Sequence, residues 1–274
     1  MKSSIDWRQI FLECKDNIQT SIEPCLKTLQ DLQPDLGTGA GGDTMRPVDL
    51  AAETAIVNTL QKQKVSFMLV SEESGIKKFG DDPKKCYVTV DPIDGTTNLI
   101  HGLPFYCSSI AVSDKPKLAN VYAGMVADLA HNVTYTAFEG KGAYCDGKKM
   151  ETAKTAFLDE AVVGLDLNAY KAKEVVPKVA ALIENTRHIR HFGANALEIC
   201  YVANGLIDAF IDLRGKIRAT DVAAGFLIVK EAAGVVTTPD NKALNVKLDP
   251  MQRLSFITSA NMEIQQKIVS LVNP

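Results

Sequence analysis

Apolar residues recur at three- and four-residue steps near the start of the chain. The positions that share this spacing are Trp7, Ile10, Phe11, Cys14, Ile18, Ile22, Leu26 and Leu29. Such spacing places apolar side chains on one face of an α-helix. The pattern therefore predicts an amphipathic first helix that is capped by Ser3 or Ser4 and is kinked or interrupted at Pro24.

Further along, short apolar runs of strand length alternate with stretches of helical spacing. Strands are predicted at VSFMLV, CYVTV, FYCSSIAVS, NVYAGMVAD and NVTYTAF, and strands and helices then interleave from AVVGLDL to NMEIQQKIVSLV. Two helices are predicted to begin at the cap residues Asp49 and Asp221. The pattern predicts layers of sheet and helix, an α+β chain, which we divide into sub-domains 1–157 and 158–274.

Composition narrows the class of protein. Of the 274 residues, 46% are hydrophobic, which is ample for a packed core and argues against disorder. The 30 basic and 33 acidic residues give a net charge of −3, so no broad basic field is available for nucleic acid or an anionic membrane. No apolar run approaches the ~20 residues that span a bilayer.

The N-terminal segment and the cysteines bear on the cellular location of the protein. Charged residues interrupt the apolar positions of the N-terminal segment, so it does not have the pattern of a signal peptide. The six cysteines are scattered and include no CxxC pair. We therefore expect free thiols rather than a zinc site, in a reducing cytoplasm.

A glycine-rich loop separates the first two predicted helices. Four of the six residues in the segment 37–42 are glycine, which gives the backbone high conformational freedom. The sequence is compatible with a plain linker and with a loop that closes over a site.

Acidic residues cluster where the chain leaves a strand or enters a helix. Glu72 and Glu73 follow FMLV, Asp91 and Asp94 follow YVTV, and Asp221 precedes VAAGFLIV. A sheet scaffold holds such positions rigidly toward a common cleft. Isolated acids there are ordinarily caps and turns, but the density around Asp91 is unusual.

The segment DPIDGTTN combines a turn with several oxygen atoms. Pro92 and Gly95 favour a tight backbone, so that Asp91 and Asp94 point to one side and the Ile93 carbonyl turns inward. Oxygen ligands without a soft donor suit Mg²⁺. The alternative is a capped turn whose Asp side chains bond local amides.

The residues after Gly95 are predicted to open a short helix. Thr96, Thr97 and Asn98 would then present backbone N–H groups, which form a seat for phosphate. Carboxylates for metal ions beside amides for phosphate are what metal-assisted phosphoryl transfer requires.

Three separated motifs carry a resemblance to a known family. VTVDPIDGTTNLIHGLPF, with SEESG upstream and DVAAGFLIVKEAAG downstream, resembles the inositol monophosphatase superfamily over nearly the whole chain. FGANALEICYVANG and RGKIRATD are most similar to the archaeal branch, whose members act on fructose-1,6-bisphosphate and inositol phosphates. The resemblance implies a layered α-β-α-β-α sandwich, a common homodimer, and direct water attack assisted by two or three Mg²⁺ ions, which Mn²⁺ can replace.

The resemblance also implies roles for individual positions. The implied metal ligands are Glu72, Asp91, the Ile93 carbonyl, Asp94 and Asp221. The implied catalytic residues are Glu72 and Thr96, which orient and activate water, and Asp43, which engages a third and weaker metal ion. The implied substrate contacts are Asp94, Gly95, Thr96, Gly193, Ala194 and Asn195. Thr220 and Ser71 depart from the residues that many relatives carry, Trp and Gly, but neither departure affects the metal ligands.

A row of basic residues bears on the choice of substrate. Arg214, Lys216 and Arg218 alternate at period two, so an extended strand would project all three from one face. Such a strip would favour a second phosphate group, as in fructose-1,6-bisphosphate. Solvent-facing charges or salt bridges across a dimer interface are the alternative. Further predicted substrate contacts are Asp212, Arg190 and Tyr170.

Four other functions are to be weighed against the sequence. An aspartyl-phosphate phosphatase is disfavoured because Pro92 stands where the nucleophilic Asp would be needed. A calcium loop is disfavoured because DPIDGTTN lacks acids at alternating positions. A 3′-phosphonucleotide phosphatase and a catalytically silent relative that binds phosphorylated metabolites are the remaining alternatives.

We expect Asp94→Asn to abolish nearly all Mg²⁺-dependent phosphate release, because the substitution removes a charge that holds a metal ion. Initial rates of the variant and the unmodified enzyme, at matched Mg²⁺ concentrations, measure this. Rates equal to those of the unmodified enzyme would contradict the metal assignment.

Overall fold

The structure is a computed structural model that describes residues 5–27, 34–168 and 172–273. Within these ranges it contains two β-sheets and seven α-helices. The helices are α1 (Trp7–Lys27), α2 (Pro47–Lys62), α3 (Thr96–Ile100), α4 (Ala172–Asn185), α5 (Asn195–Ala203), α6 (Ala219–Glu231) and α7 (Met262–Val272). In these ranges no helix is both long and apolar enough to cross a membrane.

The first sheet has eight strands in the order β2-β1-β3-β4-β5-β6-β7-β8. Its strands are β1 (Phe67–Ser71), β2 (Gly75–Phe79), β3 (Tyr87–Asp94), β4 (Cys107–Ser113), β5 (Val121–Asp128), β6 (Val133–Phe138), β7 (Ala143–Cys145) and β8 (Lys148–Lys149). Strands β1 and β3 are parallel, so their carboxyl ends lie at the same edge of the sheet. The first two acidic clusters are at those ends.

The second sheet has five strands in the order β10-β9-β11-β13-β12. Its strands are β9 (Val162–Leu165), β10 (His188–Arg190), β11 (Ala209–Arg218), β12 (Val235–Thr237) and β13 (Arg253–Ser259). Strands β9, β10 and β11 are parallel, whereas β13 pairs antiparallel with β11 and β12. Helix α6 begins directly where β11 ends, which places Asp221 at the edge of this sheet.

Three apolar cores show that helices and sheets alternate in five layers. Helices α1 and α2 pack on one face of the first sheet, with Phe11 fully buried. Helices α5 and α6 fill the space between the sheets, where the ring of Phe226 on α6 lies edge-on to that of Phe256 on β13. Helices α4 and α7 cover the outer face of the second sheet through Val179 and Ile264. This arrangement confirms the predicted α-β-α-β-α fold.

The two sheets follow the order of the chain. Every strand of the first sheet precedes residue 150 and every strand of the second follows residue 161. The middle core nevertheless takes side chains from both halves, such as Cys107 and Phe210. The division into 1–157 and 158–274 therefore stays a prediction, since the halves share a core.

The predicted helix caps are wrong by three residues, because the N-cap residues are Arg46 and Arg218. Helix α2 begins at Pro47 and α6 at Ala219, so Asp49 and Asp221 each occupy the third helical position. The Arg46 N–H donates to Asp49 at 2.8 Å, and the Arg218 N–H donates to Asp221 at 3.1 Å. A carboxylate at the third helical position accepts the N–H of the residue that precedes the helix, and so satisfies a donor that has no partner within the helix.

The interruption at Pro24 is also wrong, because α1 continues past it to Lys27. A proline removes the N–H···O=C bond of its own residue, and this helix accommodates the loss of that one bond. The proposed caps Ser3 and Ser4 lie outside the described residues.

Strand β3 does not end at Val90 as predicted but runs through DPID to Asp94. Asp91 pairs with Ser109 and Asp94 with Cys107. The three-residue advance along β3 is thus matched by an advance of only two residues along β4, which leaves one extra residue in β3. This β-bulge accommodates Pro92, which has no N–H to donate, and turns the two acidic side chains toward the same edge. The polar, exposed edge strand β2 was not predicted, because it has no alternating apolar residues.

Candidate active site

Three carboxylates from distant parts of the chain meet at the edge of the first sheet. Glu72 lies in the turn after β1, Asp91 lies in β3, and Asp221 lies in the first turn of α6. One oxygen atom from each lies within 4.8 Å of the others, and all three residues are buried. The Asp91 Oδ1 atom has no hydrogen-bond partner.

The buried negative charges of this cluster would be stabilised by a cation. Burial, followed by repulsion from neighbouring carboxylates, raises the pKa of Glu72 and of Asp91 well above the ordinary range. Burial also raises the pKa of Asp94 to about 7 and that of Glu73 to about 7. A hard divalent cation with oxygen ligands would remove this repulsion, so the residues fit a Mg²⁺-type ion.

Asp94 is oriented by a helix of the middle layer. Its Oδ2 atom accepts the N–H of Ala196, in the first turn of α5, at 2.6 Å. It borders the same cavity as the three clustered carboxylates but lies outside that group. The Ile93 carbonyl accepts a hydrogen bond from the Thr96 hydroxyl at 2.9 Å, which leaves one lone pair for another partner.

Asp49 is a site residue that sequence reasoning missed, since it was interpreted only as a cap. Its Oδ1 atom lies 3.2 Å from the Thr96 hydroxyl oxygen, and burial raises its pKa to about 6. The usable signal was an acid on the buried helical stripe that also contains Ala52 and Ile56. A carboxylate on such a stripe needs a specific partner.

The turn between β3 and α3 requires glycine. Gly95 has φ +88°, and a Cβ atom there would lie 2.9 Å from the Phe105 carbonyl oxygen and 3.0 Å from the Ala194 Cβ. Asn98 donates to the carbonyls of Phe105 and Phe192 at 2.8 and 2.7 Å. The turn is thereby tied to the segment that leads into α5.

These elements border a cavity of about 430 Å³, which lies at the ends of β1, β3, β9 and β11 and at the starts of α5 and α6. Its lining includes these predicted site residues: Asp43, Glu72, Asp91, Ile93, Asp94, Gly95, Thr96, Gly193, Asn195, Arg214, Lys216 and Asp221. Thr97 of the predicted phosphate seat and Arg218 of the predicted basic strip also line it. Further lining residues, which were not predicted as contacts, include Arg46, Glu73, Ile100, Asp166 and Asn168. Seven of the lining residues are acidic and four are basic, so the cavity favours cation binding.

The predicted basic strip is wrong in its geometry. Strand β11 shifts register between Asp212 and Ile217, and Gly215 has φ +64°, so the period of two is lost. Arg214, Lys216 and Arg218 do border the cavity. The two arginines, however, are buried and bound to carboxylates rather than aligned as a free cationic row.

Three predicted substrate contacts do not line the cavity. Asp212 is fully buried and accepts the Arg214 Nε–H at 2.8 Å. Ala194 is fully buried, and the exposed Arg190 donates to the carbonyl of its neighbour Ile189. Their roles as substrate contacts therefore stay predictions that the lining of the cavity does not support. Tyr170 lies outside the described residues.

Two lining residues offer buried oxygens that have no partner. These atoms are Asn195 Oδ1 and Glu73 Oε2. Glu198 holds the backbone that leads to Asn195, because it accepts the Gly193 N–H at 3.0 Å and the Phe192 N–H at 3.3 Å. Unpaired buried acceptors in a cavity are places where a ligand can donate hydrogen bonds.

A layered α-β-α-β-α fold with an acidic cleft between its sheets defines a class of metal-dependent phosphatases. The chain belongs to the inositol monophosphatase family, whose sequence profile matches residues 15–274. Members of this family are generally metal-dependent, in agreement with the acidic cluster.

Individual relatives match over almost the whole chain. A fructose-1,6-bisphosphatase/inositol-1-monophosphatase from Methanothermobacter thermautotrophicus is 33% identical over 96% of this chain and 95% of its own length. The crystal structure of an inositol monophosphatase–fructose 1,6-bisphosphatase superposes with a TM-score of 0.85 at 29% identity, covering 97% of this chain and all of the other.

A bifunctional NADP phosphatase/NAD kinase from Methanococcus maripaludis is 32% identical over 97% of this chain. The chain spans about half of that relative, since the match covers 49% of its length.

We expect the chelator-treated protein to lose stability as pH rises from about 4 to about 7. Asp94 and Glu73 have raised pKa values in the folded state, so the folded chain holds more protons than the unfolded chain in this window. The stability that these protonated carboxyls allow is fully present below their unfolded-state pKa values. It is lost as the pH rises through their folded-state pKa values of about 7. Thermal unfolding between pH 5 and pH 8 in the presence of chelator measures this effect.

Added Mg²⁺ at pH 8 should raise the unfolding temperature again, because it binds the ionised folded cluster. Asp91→Asn should flatten the pH dependence, since it removes one of the repelling charges. An unfolding temperature that is constant over this range in chelator would contradict the electrostatic description of the cluster.

Proposed function

We propose that the protein is a Mg²⁺-dependent phosphomonoesterase that hydrolyses fructose-1,6-bisphosphate, inositol-1-phosphate or both. The observation that carries the proposal is the convergence of Glu72, Asp91 and Asp221 on a cavity that also presents unpaired hydrogen-bond acceptors. The names of the archaeal relatives support this substrate class.

Glu72, Asp91 and Asp221 would hold the first metal ions, with Asp94 and the Ile93 carbonyl as additional ligands. Asp43 borders the same cavity and would engage a further, weaker ion. Two or three Mg²⁺ ions per site, with Mn²⁺ as a substitute, are part of this proposal. When bound, such ions lower the pKa of a coordinated water and stabilise charge on the leaving oxygen.

Thr96 and Asp49 would handle the proton of the attacking water. Burial raises the pKa of Asp49 to about 6, which still leaves this carboxylate ionised near neutral pH. Asp49 would accept the hydrogen bond of the single Thr96 hydroxyl proton when the Ile93 carbonyl, which is the nearer acceptor in the structure, binds a metal ion instead. The Thr96 oxygen then keeps its lone pairs free to accept a proton from water. Backbone N–H groups of Gly95 and Thr96 would bind the phosphate oxygens.

The remaining lining residues suit a substrate rich in hydroxyl groups. Asn195 Oδ1 is a buried acceptor that lacks a donor, and a sugar or inositol hydroxyl would supply one. Arg214 is shared by Asp166 and Asp212, so much of its charge is already compensated. Arg214 is therefore not a free cation for a second phosphate.

A second candidate activity is hydrolysis of the phosphate of NADP. The bifunctional relatives from Methanococcus maripaludis and Methanocaldococcus jannaschii support it, at 32% and 31% identity over nearly the whole chain. The predicted 3′-phosphonucleotide activity has no comparable support. A silent relative is disfavoured because every predicted metal-binding carboxylate is present. The homodimer and the cytoplasmic location stay predictions.

Phosphate release from fructose-1,6-bisphosphate, inositol-1-phosphate and NADP, each with Mg²⁺ and with chelator, tests the proposal. We expect chelator-sensitive release from the first two substrates, and a large loss in Asp91→Asn. Faster release from NADP than from either would favour the second candidate. Absence of Mg²⁺-dependent release from all three would overturn the proposal.

Thr96→Ala should lower kcat by about 10²- to 10⁴-fold, the range for removal of a proton-transfer group. Thr96→Ser keeps the hydroxyl and should retain most of the activity, so it serves as the matched control. Steady-state kinetics of both variants at saturating Mg²⁺ make the comparison. Equal losses in the two variants would indicate a packing role for the Thr96 methyl group instead.

A further inference from the structure

The glycine-rich segment forms a small hairpin, residues 36–45, that lies across the end of the first sheet. Thr38 and Thr44 form an antiparallel bridge, and the Met45 N–H donates to the Gly37 carbonyl at 2.9 Å. At its tip, the hairpin bonds to the turn after β1. The Ala40 N–H donates to the Glu73 carbonyl at 2.9 Å, and the Gly41 N–H donates to the Glu72 carbonyl.

Two arginines of the second sheet hold this hairpin tip. Arg218 on β11 and Arg253 on β13 are cross-strand partners, and both donate to the Gly41 carbonyl, Arg218 through its Nε at 3.2 Å. Two like charges opposite each other destabilise a sheet unless anionic partners compensate them. The carbonyl and the carboxylates around it provide that compensation.

Arg218 also binds carboxylates of the hairpin and of the acidic cluster. Its guanidinium binds the Asp43 carboxylate through one nitrogen and the Glu72 carboxylate through another, and its Nη1 atom lies 3.6 Å from Asp221. The Asp43 side chain is 65% exposed, so burial does not hold it in place. The ion pair with Arg218, whose side chain is only 10% exposed, fixes its position at the cavity.

Glycine at positions 39 and 41 makes this contact possible. A Cβ atom at Gly41 would lie 2.5 Å from the Arg218 Nε atom, and one at Gly39 would lie 2.5 Å from the Glu73 Oε2 atom. The hairpin backbone therefore lies directly against the arginine and the turn. Neither position has a positive φ, so close approach rather than backbone conformation explains these two glycines.

We propose that Arg218 and Arg253 form a latch that holds the 36–45 hairpin closed over the cavity and places Asp43 there. The latch joins a hairpin that precedes the first sheet in the chain to two strands of the second sheet. Arg218 and Asp43 are 175 residues apart in the sequence. The role of Asp43 in cation binding rests on the proposed function, whereas the latch itself does not. Both arginines act as positioning residues.

A latched hairpin has a consequence for cation affinity. A carboxylate that is already held at the cavity loses less conformational freedom when a cation binds than one on an open loop. Loss of the latch should therefore raise the Mg²⁺ concentration that gives half-maximal activity, without an equal fall in kcat at saturating Mg²⁺.

Amide hydrogen exchange of the chelator-treated, substrate-free protein tests the latch directly. The reporters are the Ala40 and Gly41 amides, which bond from the hairpin to the turn after β1. We expect exchange to be about tenfold faster in Arg253→Gln, the effect of losing one charged hydrogen bond. Arg187→Gln, the same substitution at an exposed arginine outside the hairpin contacts, is the control and should leave both rates unchanged.

A second variant opens the latch from the hairpin side. Gly41→Ala forces the Arg218 side chain away and should also speed exchange of both amides, although both arginines remain. Unchanged exchange in both variants would overturn the latch. Exchange that rises equally across α4 and α7 would also overturn it, because that result would indicate general destabilisation.

A Mg²⁺ titration of phosphate release provides the second readout. We expect the half-saturating concentration to rise severalfold in Arg253→Gln and not in Arg187→Gln. A fall in kcat alone would contradict a positioning role. If no phosphate is released by any variant, the proposed function fails, while the exchange result still decides the latch.

Discussion

The structure depends on the burial of several carboxylates close to one another. Glu72, Asp91 and Asp221 repel each other because burial weakens solvent screening, and the described residues that line their cavity include seven acids but only four basic side chains. Arg218 is the main one, because it reaches Glu72, Asp221 and Asp43. A site with this excess of negative charge is stable only when protons, arginine or bound cations compensate it.

The layered fold supplies the rigidity that such a cluster needs. Asp91 is held by a strand paired on both sides, and Asp221 is held by α6, which is packed between the two sheets. Strands and packed helices hold side chains more firmly than loops do, so the carboxylates cannot separate to relieve their repulsion. The same packing connects the halves of the chain, which explains why the middle core draws on both.

Charge compensation also relates the catalytic proposal to the latch. Arg218 stabilises the acidic cluster and at the same time holds the hairpin that carries Asp43. Arg214 has a similar position deeper in the second sheet, where Asp166 and Asp212 bind it. Residues that seemed from the sequence to be free cations for substrate phosphate are thus largely engaged with the protein's own acids.

The sequence by itself determined the layered α+β class, the family, and the segments that provide the acidic cluster. Apolar periodicity marks each buried layer, and the acids stand next to those periodic segments. Only the tertiary structure decided which oxygen atoms meet, because Glu72, Asp91 and Asp221 come together through the packing of α6 between the sheets. The bulges in β3 and β11, the pairing of Asp49 with Thr96 and the contact of Arg218 with Asp43 depend on cross-strand and interlayer contacts. Local patterning carries no information about such contacts, since their partners lie far apart in the chain.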